Sequence, residues 1–173
     1  SGAACVRSIV PLVNSATAFV LALVAARLYG ALTGFWTGLF FVIMPGIAVS
    51  SFLITTDPFL LFFWSIGLLA ILLQLERPGL KPALLFGVAA GLGLNAKYAM
   101  IYLPALVALA GAMMPELRSR LFRRESVLAL AVMLLLIAPN LVWNALNGFA
   151  TCEHTANDNI GWSLSRLSAK KGL

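Results

Sequence analysis

Ile54-Thr55-Thr56-Asp57-Pro58-Phe59-Leu60 decides how this chain is read, because it carries the only acidic residue among the first 75 and separates two long apolar runs. The run before it ends in Met44-Pro45-Gly46-Ile47-Ala48-Val49-Ser50-Ser51, and the run after it opens Phe59-Leu60-Leu61-Phe62-Phe63-Trp64. Two such runs joined by a short polar turn predict a helical hairpin in lipid, with Asp57 at the membrane boundary. Thr56 or Asp57 can cap the second helix, and Pro58 suits its first turn, where a missing N–H costs nothing. A carboxylate at such a boundary is expensive unless it has a partner or a task.

The rest of the chain enforces a membrane setting. Of 173 residues, 61% are hydrophobic and 10% charged, with a mean hydropathy of +0.98. A soluble domain of this size cannot bury that much apolar surface. The fold class expected is all-α, a polytopic transmembrane bundle of about six spans over residues 1–150, followed by an external polar tail over 151–173. Two cysteines, Cys5 and Cys152, are too few for a disulfide framework or a metal cluster.

The six spans read Ser8–Ala26, Ala31–Ile54, Pro58–Leu75, Ala83–Tyr102, Leu103–Met113 and Val127–Leu146. Gly30 marks the end of the first. In the second, Gly34, Gly38 and Gly46 allow close helix approach, and Pro45 bends it. Residues 82–114 are too long for one span, and Pro104 is the expected point of division. Alternating these spans gathers Arg27, Arg77, Lys81, Arg118, Arg120, Arg123 and Arg124 on one face, which the positive-inside rule makes cytoplasmic. The net charge of +6 is therefore topological, and nucleic acid is not an expected partner.

The opposite, external face collects the chemistry. Lys97, in Gly91-Leu92-Gly93-Leu94-Asn95-Ala96-Lys97-Tyr98, reads as a cation deep in a span, which must snorkel, pair with an acid or hold an anionic ligand. Asn95 can serve the same ligand or bond a neighbouring helix. Arg7, at the outer end of the first span, reads as an interfacial anchor. Glu153, His154 and Asp158 lie in one polar segment whose spacing matches no strong metal signature, so a solvated loop is favoured over ligation. Trp143 and Trp162 read as interface anchors.

The order Val6-Arg7, Ala26-Arg27-Leu28-Tyr29-Gly30, Thr55-Thr56-Asp57-Pro58, Gly91-Leu92-Gly93 with Ala96-Lys97-Tyr98, and Pro139-Asn140-Leu141-Val142-Trp143-Asn144 resembles the dolichyl-phosphate-mannose protein mannosyltransferases. Among these it is most similar to the bacterial branch, glycosyltransferase family 39, within the C-type superfamily of integral-membrane glycosyltransferases. The likeness runs from Val6 to about Asn159. It implies transfer of a sugar from a polyprenyl-phosphate carrier to an acceptor protein, lipid or glycan, with inversion, on the periplasmic face of the bacterial inner membrane. By the same resemblance Asp57 matches an auxiliary acid, Lys97 and Arg7 match basic positions near the carrier phosphate, and the segment around His154 matches a loop bordering the active site.

No cofactor follows with certainty, a divalent metal ion being the one candidate. The family's principal acid lies in a first external loop upstream of this sequence, so the chain as given is expected to be a piece of the enzyme, inactive alone. A lipid or solute transporter and a non-catalytic membrane assembly protein are the alternative classes. Internal repeats favour the first of these, and none is found; an upstream Asp-Glu loop would argue against the second.

Overall fold

The computed structural model describes residues 2–50 and 55–146, with side chains from residue 9 onward. It is helical: α1 spans Gly2–Tyr29, α2 Ala31–Ile43, α3 Pro45–Ser50, α4 Asp57–Glu76, α5 Leu80–Ala96, α6 Tyr102–Met113, α7 Pro115–Leu121 and α8 Arg124–Leu146, with a single 3₁₀ turn at Tyr98–Ile101 between α5 and α6. Among the described residues, three segments are long and apolar enough to cross a membrane, Ile9–Tyr29, Asp57–Glu76 and Arg124–Leu146. Three shorter apolar helical segments, Ala31–Ile43, Leu80–Ala96 and Tyr98–Met113, account for the other expected spans. The chain forms two compact units, Ser1–Ile137 and Ala138–Leu173. In the second, the described residues are the last turns of α8, where Asn144 donates its amide to the Asn140 carbonyl at 3.1 Å.

Local sequence explains most boundaries. Gly30 ends α1 with φ +97°, a backbone conformation that side chains with a Cβ rarely adopt, so the stop falls at glycine. Met44 is extended, as a residue before proline is driven to be, and this separates α2 from α3 at Pro45. The division of residues 82–114 falls elsewhere than expected. It lies at Lys97, while Pro104 is the third residue of α6. A proline in a first helical turn has no intrahelical N–H bond to lose, so Pro104 is compatible with the helix it was expected to break.

Packing in the first unit depends on small residues, since lipid supplies no hydrophobic force between helices. A Cβ on Gly34 would lie 2.6 Å from both the Ala22 carbonyl oxygen and the Ala26 Cβ, so α2 meets α1 backbone to backbone. Gly38 continues that seam, whereas Gly46 faces open space. Gly87 and Gly91 play the same part between α5 and α8: a Cβ on Gly87 would come within 2.4 Å of the Ala129 carbonyl oxygen. Around them lies the main core, Ala90, Leu94, Met100, Leu103, Met133 and Ile137, with Phe63, Trp64 and Leu68 of α4 against it. Buried Thr17 and Ser65 donate their hydroxyls to carbonyls of their own helices, Val13 and Phe62, and so carry no unmet polarity.

Candidate functional site

Two features of the backbone bring the sharpest sequence candidates together. Asp57 is the first residue of α4, and Pro58 follows within the first turn. The Thr56 side chain makes no capping bond; the turn is closed by the Leu60 N–H donating to the Thr56 carbonyl at 3.1 Å. Asp57 thus keeps its carboxylate for another partner, and an acid in a first turn is favoured by the helix dipole in any case.

That partner is Lys97. α5 ends at Ala96, the Lys97 N–H donates back to the Gly93 carbonyl at 2.9 Å, and the chain then turns through Tyr98–Ile101. What fixes this turn is Met100, fully buried three residues after the lysine. Its side chain occupies the space that glycine leaves at position 93, where a Cβ would lie 2.7 Å from the Met100 Cγ. Leu103, on the next turn, fills the matching gap at Gly67 of α4. The break in the helix is therefore set by Met100 packing back on α5 and Leu103 packing on α4, and it delivers the Lys97 Nζ to 2.6 Å from the Asp57 Oδ1.

The sequence reading placed Lys97 deep in a span. The structure corrects this: the lysine stands at the end of α5, and its side chain is 48% exposed against 53% for Asp57. Of the three fates open to the ammonium, it takes pairing with an acid. At such exposure an ion pair contributes only about 0–1 kcal/mol to stability, so its significance is positional. It holds a carboxylate and an ammonium side by side at one end of the bundle, where a lysine with three donors retains N–H groups for a second anion.

Asn95, two residues before Lys97, is committed to structure. Its amide donates to the Gly91 carbonyl at 3.0 Å and to the Leu136 carbonyl on α8 at 2.9 Å. Leu136 lies three residues before Pro139, which sits within α8 and has no N–H to return to the Leu135 carbonyl. Asn95 supplies an amide donor beside that gap, as neighbouring helices do around prolines in lipid. The backbone of Arg7 belongs to α1; its side chain, and Cys5, lie outside the described side chains, and Cys152, Glu153, His154, Asp158 and Trp162 outside the described residues. Among the described residues no three His, Cys, Asp or Glu side chains gather into a metal-binding group.

Sequence reasoning missed the counterpart at the other end of α4. Arg27, in the last turn of α1, donates to Glu76, in the last turn of α4, at 2.7 Å. The signal was present, since opposite charges close the first and third apolar runs, but only the cations were tallied. The basic segment after α6 was also unread as structure. It forms α7, whose Arg120 side chain donates to the Leu75 carbonyl while the Gln74 amide donates to the Arg120 carbonyl at 3.2 Å. Cavities of about 440, 450 and 490 Å³ lie along this Glu76 half of α4, away from the Asp57–Lys97 pair.

Comparison with known proteins agrees with the resemblance. Residues 2–143 match the family model for dolichyl-phosphate-mannose-protein mannosyltransferase. The chain is 34% identical over 168 residues, 97% of its length, to the lipid A galacturonosyltransferase RgtD of Rhizobium johnstonii, and it spans 35% of that protein. No solved structure matches. The match over residues 2–143, on a chain of apolar helices long enough to cross a membrane, leads to one conclusion: the chain belongs to the dolichyl-phosphate-mannose-protein mannosyltransferase family of integral-membrane proteins.

Proposed function

We propose that this chain is the part of a membrane glycosyltransferase that receives the phosphate of a polyprenyl-phosphate-linked sugar, with the sugar passed to an acceptor on the external, periplasmic side of the inner membrane. The observation that carries the reading is the half-exposed Lys97 ammonium, held 2.6 Å from Asp57 at a break between two apolar helices. Support for the transferase class comes from the family match over residues 2–143.

In the proposed reaction an acceptor hydroxyl attacks the anomeric carbon from the side opposite the carrier phosphate. The new C–O bond forms as the bond to the phosphate oxygen breaks, and that oxygen leaves with the electron pair. Negative charge grows on the departing phosphate, and a preplaced cation stabilises it more than it stabilises the ground state. Lys97 fills this role, with Arg7 as a second cation. Asp57 orients Lys97; the acceptor proton passes to a separate general-base carboxylate, the principal acid that the resemblance places in the first external loop. The segment bearing Glu153, His154 and Asp158 is proposed to border the acceptor. The name of the relative points the acceptor test first at lipid A.

The test uses membranes carrying the full open reading frame, a radiolabelled polyprenyl-phosphate sugar and lipid A. Label is expected to move to lipid A, and Lys97→Ala is expected to weaken both donor binding and transfer. Unchanged donor binding in Lys97→Ala removes Lys97 from the site, and absence of transfer to lipid, protein and glycan acceptors alike overturns the transferase reading.

A further inference from the structure

The 440 Å³ cavity in the Glu76 half of the first unit takes no part in the chemistry above. It is walled by Ala70, Phe86, Val107, Leu130 and Met133 of four helices. Apart from Arg123, its polar lining side chains are already engaged: the Gln74 amide donates to the Arg120 carbonyl and its oxygen accepts the Gly79 N–H, while the Ser126 hydroxyl donates to the Leu121 carbonyl. Filling it with liquid would take on the order of fifteen waters with few partners between them, which an apolar cavity does not favour. Hydrocarbon is the natural content.

Its shape and its edge narrow the occupant. The cavity is a half-open apolar groove, and a lipid chain can enter it from the side without unpacking the helices. A lipid acyl chain fits it. At the edge stands Arg123, its side chain 46% exposed, with one long contact of 3.4 Å from Nε to Glu125 and no second acidic partner among the described residues. Exposed Arg124 is next to it in the chain. An arginine matches phosphate geometry with paired N–H donors, and basic residues beside apolar helices attract anionic lipid.

We infer that this cavity is a binding site for an anionic phospholipid, one acyl chain between α4, α5, α6 and α8 and the phosphate on Arg123. The site is distinct from the proposed donor site: α4 is about 30 Å long, and Arg123 and Lys97 serve its opposite ends, so one headgroup cannot occupy both. The inference does not rest on the transferase reading.

The test is native mass spectrometry of the detergent-purified full-length protein titrated with phosphatidylglycerol or phosphatidylcholine. Saturable binding of phosphatidylglycerol is expected, about tenfold tighter than phosphatidylcholine, whose choline cation offsets the phosphate charge that Arg123 attracts. Arg123→Gln removes that preference and leaves the weaker binding in place. Ala108→Trp, at an exposed position lining the cavity, abolishes saturable binding of both. Equal affinity for the two lipids in the unaltered protein, binding undisturbed by Ala108→Trp, or no saturable binding because another part of the protein fills the cavity would each overturn the inference.

Discussion

The two ends of α4 carry ion pairs of nearly the same length, 2.6 Å for Asp57–Lys97 and 2.7 Å for Glu76–Arg27, yet they do opposite things to the helix. Glu76 is an acid at a helix C-terminus, where the dipole disfavours negative charge, so Arg27 offsets a local penalty. Asp57 is an acid at an N-terminus and Lys97 a cation just beyond the C-terminus of α5; each is favoured by its own helix before they meet. The Glu76 end is also laced by Gln74 and Arg120 to α7. A pair whose members are independently comfortable can release one of them to a ligand at little cost. Equal distances therefore join a carboxylate that its helix disfavours at one end and two charges that their helices favour at the other.

This contrast can be broken in five places. The largest effect is expected at the packing that positions Lys97: Met100→Ala should lower stability by about 2–3 kcal/mol through the cavity it leaves, read as a fall in thermal midpoint in detergent, and a midpoint equal to the parent's would show that the break is fixed otherwise. Lys97→Ala should reduce transfer by roughly 100-fold with little change in midpoint, the size seen when one preorganised charge-stabilising donor is lost. Asp57→Asn should cost less, about tenfold, since the ammonium remains but is less well oriented; a loss equal to that of Lys97→Ala would make Asp57 more than an orienting group.

At the opposite end the readout should switch from activity to stability. Arg120→Ala removes a charged donor from the Leu75 carbonyl and should cost about 1 kcal/mol in the same melting experiment with transfer preserved. Arg27→Gln should be smallest, within about 0.5–1 kcal/mol as befits an exposed pair beside a helix terminus. A collapse of transfer in Arg27→Gln would erase the distinction between the two ends.

Much of this arrangement was legible in the sequence, and the failures have a common cause. Hydropathy and cation placement gave the helical class, the turn before Pro58, the stop at Gly30 and the shared side of Asp57 and Lys97, because each depends on one residue and its neighbours. Pro104 was misread because a proline breaks a helix only where an N–H is needed, and whether position 104 is interior depends on where the helix begins. That start is set by Met100 packing on Gly93, a contact across a turn that no hydropathy window records. Gly87 and Gly91 carry the spacing already recognised at Gly34 and Gly38, yet went unnoticed inside a stretch read for its lysine. The Arg27–Glu76 pair joins residues 49 apart in sequence, and pairing at that range is visible only once α1 and α4 are known to be neighbours.

With a charge pair at each end, α4 acts as a ruler. Its 20 residues set about 30 Å between the two polar ends, close to the hydrocarbon thickness of an ordinary bilayer. In a thicker membrane one pair must be drawn below the interface or the lipid must thin around it; in a thinner one the helix must tilt. Because Glu76 depends on its partner and Asp57 does not, thickness mismatch should be taken up first at the Asp57 end, which makes the openness of the lysine site a property of the surrounding lipid as well as of the protein.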